Sequence, residues 1–298
     1  MSIVLLLLPD FLLICGGALL KRAPGFTPDF WSGVERLVYF VLFPALLFRS
    51  LALSPLSLSE AGPLVAVGVA YTAAGMILSG IAGPLFKLPQ PTFAACFQCG
   101  FRFNTYVALA VASRLGGESG LAAISLLVGV LVPPVNVAAV AVLAHGRAKI
   151  LPELARNPLV IACVGGMLWK WSGWRLPDLI AHLLALLASA ALPLGLLAVG
   201  AGLAFRHGRL PAGALVWWTA LKLAIIPAIA LALANAAGLP PVERQAAVIL
   251  AAVPTATSAY ILAVQMKSAG APVALLISTG TLAAAITLPA WVWLLGNL

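Results

Sequence analysis

Apolar residues fill this chain in blocks of about twenty, the length that crosses a bilayer as a helix, and polar residues gather in short interruptions between the blocks. Strand-type alternation is absent, so the pattern predicts an all-α integral membrane protein rather than a β-barrel. The blocks read as ten transmembrane spans, at 2–20, 31–53, 62–85, 92–115, 119–145, 157–174, 178–205, 211–237, 244–267 and 273–296. Gly116-Gly117-Glu118-Ser119 turns the fourth span into the fifth, and the longest polar connection runs from His145 to Asn157. That connection divides one membrane domain into an N-terminal repeat, 1–148, and a C-terminal repeat, 149–298, of five spans each. An odd number of spans per repeat sets the two repeats in opposite orientations. Proline spacing agrees: Pro44 to Asn104 is 60 residues and Pro193 to Pro254 is 61.

Composition fits this reading. Of 298 residues, 63% are hydrophobic and 8% charged, against about 25% charged in soluble domains. The net charge of +9 includes no dense basic run, which argues against nucleic acid as a partner. The basic residues sit mainly at span ends, where the positive-inside rule applies. Lys21, Arg22, Lys87, Arg147, Lys149, Arg156, Arg206, Arg209 and Lys267 fall on one side; Arg49, Arg114, Lys170, Arg175 and Arg244 fall on the other. The nine-to-five balance makes the first side cytoplasmic and places both termini outside a plasma (inner) membrane. Residues 1–20 lack a basic n-region and read as a first span, not a signal peptide.

Two spans are interrupted by polar residues. The fourth carries Cys99-Gly-Phe-Arg-Phe-Asn-Thr-Tyr106. A guanidinium at mid-bilayer costs roughly 2.5–3.5 kcal/mol, so Arg102 must face water, a ligand or a partner. The ninth carries Pro254-Thr-Ala-Thr-Ser-Ala-Tyr260, a proline that opens a new half-helix with hydroxyls to satisfy freed backbone groups. New half-helices are expected to begin near Asn104 and Thr255. Their N-termini, each with free N–H groups and partial positive charge, would converge with Arg102 on an anion.

Candidate substrate-binding residues are therefore Arg102, Asn104, Thr105, Pro254, Thr255, Thr257 and Ser258. Lys222 joins them, because it lies about 16 Å along a helix from Pro211; its bland reading is a lysine that snorkels to an interface. Asn136 and Tyr260 are candidates one layer further out. Asp10 is the acid deepest in the membrane; it either carries a coupling proton or forms a structural pair with Lys222 or Arg102, the pair being favoured. Cys96 and Cys99 form a C-x-x-C that reads as buried small residues more readily than as a metal or redox site. His182 reads as interfacial, and Trp169, Trp171, Trp174, Trp217, Trp218, Trp291 and Trp293 read as an aromatic belt. The sequence has no H-E-x-x-H, no G-x-S-x-G, no P-loop lysine motif and no pair of intramembrane aspartates, so an enzyme is not expected, and neither is a cofactor.

Five pieces in order resemble the auxin efflux carrier family, whose bacterial members include malonate permease-like proteins. They are Val41-Leu-Phe-Pro-Ala-Leu-Leu-Phe-Arg-Ser-Leu51, Phe101-Arg-Phe-Asn-Thr-Tyr106, Asn157-Pro-Leu-Val-Ile-Ala-Cys163, Leu221-Lys-Leu-Ala-Ile-Ile-Pro227 and Val253-Pro-Thr-Ala-Thr-Ser-Ala-Tyr260. The resemblance implies two inverted five-helix repeats whose broken fourth and ninth helices cross at the substrate site. It also implies a scaffold, built from the first two helices of each repeat, that mediates homodimerisation. It maps the family's asparagine and proline at the breaks onto Asn104 and Pro254. The sequence departs from the family after Asn104, where Tyr106-Val107-Ala108 and Ala110 stand in place of a Gly and a Pro. The function implied is secondary transport of a small organic anion, a carboxylate, by alternating access. An anion-selective channel and a sodium-coupled symporter of related fold are the alternatives.

Overall fold

A computed structural model describes residues 3–54, 58–143, 157–203 and 209–296. The connection around Arg147, Lys149, Glu153 and Arg156, and the residues Arg206, His207 and Gly208, lie outside the described residues.

Helices α1 (Ile3–Leu20), α2 (Pro28–Leu37) and α3 (Phe43–Ala52) come first, the last two joined by a π-helical turn, Val38–Leu42. After them come α4 (Leu58–Leu85), α5 (Gln90–Phe97), α6 (Thr105–Leu143) and α7 (Pro158–Ser172). The chain closes with α8 (Asp178–Gly202), α9 (Ala212–Ala220), α10 (Ile226–Ala236), α11 (Pro241–Ala252), α12 (Ser258–Gln265) and α13 (Gly270–Gly296). Among the described residues there is no strand. Among the described residues, five helical stretches are long and apolar enough to cross a membrane: Ala61–Leu85, Gln90–Leu143, Asp178–Gly202, Ala212–Ala236 and Gly270–Gly296. The protein is an all-helical, multi-pass membrane protein.

Local chemistry sets the boundaries. Thr27 caps α2, its hydroxyl accepting the Phe30 N–H at 3.3 Å, with Pro28 at the first helical position, where a missing N–H costs nothing. Asn157 and Pro158 start α7 in the same way. The long α6 doubles back at Gly117, whose φ of 54° is left-handed. A Cβ on Gly120 would lie 2.7 Å from the Ala112 carbonyl oxygen, so the two limbs run against each other. The turn falls where the sequence places it.

The two π turns each precede a proline, Pro44 and Pro227. A proline ring clashes with the carbonyl four residues back, and widening the turn to an i→i−5 bond relieves the clash. At the second π turn the Leu223 carbonyl is freed and accepts the Trp291 Nε1–H at 2.8 Å. Trp218 is 1% exposed and donates to Ser79 Oγ at 2.8 Å. It is a core residue and not part of an aromatic belt, because its indole N–H finds a buried partner.

Helix α1 lies along α8, and α3 packs on both α7 and α8. The α1–α8 approach is so close that a Cβ on Gly17 would sit 1.9 Å from the Leu197 carbonyl oxygen, and one on Gly200 1.8 Å from that of Ile14. Glycine allows this backbone contact, which in a membrane replaces hydrophobic driving force with dispersion.

Candidate functional site

Two interruptions of helical structure meet in the interior. At the first, α5 tightens into a 3₁₀ turn, Gln98–Gly100, and Phe101–Asn104 is irregular before α6 resumes at Thr105. At the second, Val253–Thr257 separates α11 from α12. The Asn104 N–H donates to the Pro254 carbonyl at 2.8 Å, the Thr255 hydroxyl to the Cys99 carbonyl at 2.8 Å, and Gln98 Nε2 to the Ala259 carbonyl at 3.0 Å. Gln98, Asn104, Val253 and Thr255 are all buried. Irregular backbone at membrane depth is tolerated only when protein groups satisfy it, and here each break satisfies the other. The break forms without a Gly-Pro pair after Asn104: the 3₁₀ turn and the Asn104 cap suffice. Cys96 and Cys99 are buried and unpaired.

Asn104 Oδ1 accepts the N–H groups of Tyr106 and Val107 at 3.0 and 3.3 Å. This is N-capping, and it uses donors that an anion would otherwise take. The second half-helix begins at Ser258, three residues later than the sequence suggests, because Val253 takes an extended ψ of 150° and ends α11.

Arg102 is 6% exposed. Its guanidinium donates to Ser258 Oγ at 2.9 Å and to Asn136 Oδ1, while its Nε–H is buried without a partner. It forms no ion pair among the described residues. Arg102 lines a cavity of about 520 Å³ with Thr105, Tyr106, Asn136, Thr257 and Ser258. Toward the helix ends the walls are Ser32, Glu35, Arg36, Tyr39 and Asn157. Phe43 stacks on Tyr106 with ring centroids 4.4 Å apart, fixing that wall. A second cavity, about 630 Å³, shares Ser32, Glu35, Thr257 and Ile261 and reaches Lys21, Trp31 and Tyr260.

The residues singled out in the sequence thus separate into groups. Arg102, Thr105, Asn136, Thr257 and Ser258 line the first cavity, and Tyr260 lines its neighbour. Pro254, Thr255 and Lys222 line a separate void of about 10 Å³ with Cys99, Trp218 and Thr219. Lys222 is 3% exposed and donates to the Ala251 carbonyl. That carbonyl is among the last four of α11, which lack intrahelical donors, and a cation suits the negative end of a helix.

Asp10 pairs with neither Lys222 nor Arg102. Arg114 holds it through two bonds, at 2.7 and 2.8 Å, with Asp10 5% exposed. Arg114, three residues before the reversal at Gly117, reaches α1 across 104 residues of sequence, a proximity that residue spacing does not encode. His182 is exposed on α8. Glu35, Arg36, Tyr39 and Tyr106 line the cavity but stand out weakly in sequence, because a Glu-Arg pair at a helix end reads as a solvated boundary.

Similarity to known proteins agrees with this architecture. A family model described as "Membrane transport protein" matches residues 144–292, half of the chain. The chain is also 28% identical over 281 residues to a protein of Rhizobium meliloti (strain 1021) named "Putative malonate transporter", covering 87% of this chain and 85% of that one. The match of the family model over half of the chain shows that the chain belongs to the membrane transport family of the auxin efflux carriers.

Proposed function

We propose that the protein is a secondary transporter of a small organic anion, a carboxylate, and that the anion binds against Arg102. The observation that carries this is a buried guanidinium, held only by neutral groups, at the inner end of a cavity of about 520 Å³. A buried charge without a counter-ion is costly, and an incoming carboxylate supplies the missing charge. Thr105, Thr257, Ser258 and Asn136 offer hydroxyl and amide groups beside it. Asn104 and Pro254 hold the crossing, while Thr255 and Lys222 satisfy its carbonyls from behind. The relative named for malonate makes dicarboxylates the first class to test.

In this reading the chain crosses the membrane ten times as two inverted five-helix repeats. The cavity lies toward the helix ends that carry Lys21 and Arg36, the side assigned to the cytoplasm by the positive-inside count, with both termini outside the inner membrane. At the opposite end Arg114 bonds Asp10, and Arg49 lies 3.5 Å from Glu118. A site reached from one end and tied at the other suits the inward-facing state of an alternating-access cycle. Asp10 is then a structural partner of Arg114 and not the coupling acid. The α1, α3, α7 and α8 helices form the scaffold, whose outer face would pair two copies. Counterflow of radiolabelled malonate in proteoliposomes tests the function. Saturable exchange is expected; non-saturable flux would indicate a channel, and a sodium requirement would indicate a symporter.

A further inference from the structure

Glu35 stands in the wall common to the two cavities, together with Ser32, Thr257 and Ile261. It is the acid that lines them, and it forms no ion pair among the described residues. The groups that face it come from several elements. Lys21 faces it across the second cavity from the end of α1, with Tyr260 of α12 on the same walls. Arg36 and Tyr39 neighbour it on its own helix and the π turn, and Arg102 and Tyr106 face it across the first cavity. Asn157 of α7 is the polar neutral group on that side. Among the described residues two other acids are buried, Asp10, which Arg114 engages, and Glu243, and neither lines either cavity.

We propose that Glu35 is the coupling acid: its carboxylate takes up one proton when the substrate anion binds and releases it when the anion leaves. This rests on the anion-transport reading above. An ionised Glu35 places a fixed negative charge on the wall of the space a carboxylate must enter, opposing Arg102, Arg36 and Lys21. Protonation removes that charge and leaves the guanidinium field to the substrate. The step is a simple protonation, carboxylate plus proton giving carboxyl, with no other bond made or broken. Across a cavity of this size one such charge changes anion affinity on the order of tenfold.

Malonate is the probe, with purified full-length protein in detergent. Saturating malonate added to the wild type in weak buffer should draw about one proton per protein from solution, and E35Q should draw none. Malonate affinity of the wild type should rise as pH falls, whereas E35Q, compared at each same pH so that titration of the probe cancels, should hold the high-affinity value throughout. Proton uptake by the wild type needs no variant, so a misfolded E35Q leaves the test intact. Malonate binding without proton uptake, or an E35Q that keeps the wild-type pH dependence, overturns the inference and spares the transport reading. No binding of malonate or other dicarboxylates by the wild type at any pH overturns both.

Discussion

At the first break the chain passes from a 3₁₀ turn through four irregular residues into a helix capped by Asn104. At the second it passes through Val253–Thr257 into a helix without a side-chain cap. Each has a buried cation beside it, and the two cations do different things. Arg102 belongs to the first break and lines the cavity, with its Nε–H unpartnered. Lys222 comes from the neighbouring π turn and donates to a helix-end carbonyl of α11. The second break contributes to the cavity through hydroxyls of Thr257 and Ser258 and supports the first through the Pro254 carbonyl. A cation near a helix break is therefore not by itself a ligand group: the deciding feature is whether its donors are already used by backbone.

The sharpest test of this contrast pairs Arg102→Ala with Lys222→Met. Arg102→Ala should weaken malonate binding by about ten- to a hundredfold, the equivalent of roughly 1.5–3 kcal/mol for a hydrogen bond to a charged group. Lys222→Met should change affinity by less than about threefold, under half of the 1.4 kcal/mol that a tenfold change represents. Isothermal titration in detergent reads both, and equal losses would erase the distinction between the two cations.

Asn104→Ala should act mainly on stability, by about 1 kcal/mol for a lost N-cap, seen as a lower melting temperature in detergent. Asn104→Asp or Asn104→Ser, which keep a capping oxygen, should restore it. A loss of binding in Asn104→Ala as large as in Arg102→Ala, with no change in melting, would make Asn104 a ligand group instead of a cap. Thr255→Val leaves the Cys99 carbonyl without its hydroxyl donor and should cost about 0.5–1.5 kcal/mol of stability, measured in the same way, with little effect on affinity. Arg49→Ala, at the far end, should be the mildest. Glu118 is 78% exposed at its side chain, and an exposed pair is worth at most about 1 kcal/mol; melting should barely move.

The apolar blocks, their lengths and the low charge already specify an all-helical membrane protein, because a bilayer accepts little else of that composition. Gly116-Gly117 marks the reversal in α6, since only glycine takes its left-handed φ without strain. Arg102, Asn104 and Pro254 are conspicuous for the same kind of reason: a charge, an amide and a missing N–H are each expensive in hydrocarbon. Which partner meets each expense is another matter, set by contacts between residues far apart in the chain. Asp10 finds Arg114, 104 residues away, and Arg102 finds Ser258, 156 residues away. Lys222 turns to a carbonyl whose intrahelical donor the second break removes. Glu35 becomes a cavity wall because α2, the two breaks and α12 converge on it. Cost is a property of a residue in its solvent and is local, so sequence records it; compensation is a property of packing, and only the folded bundle decides it.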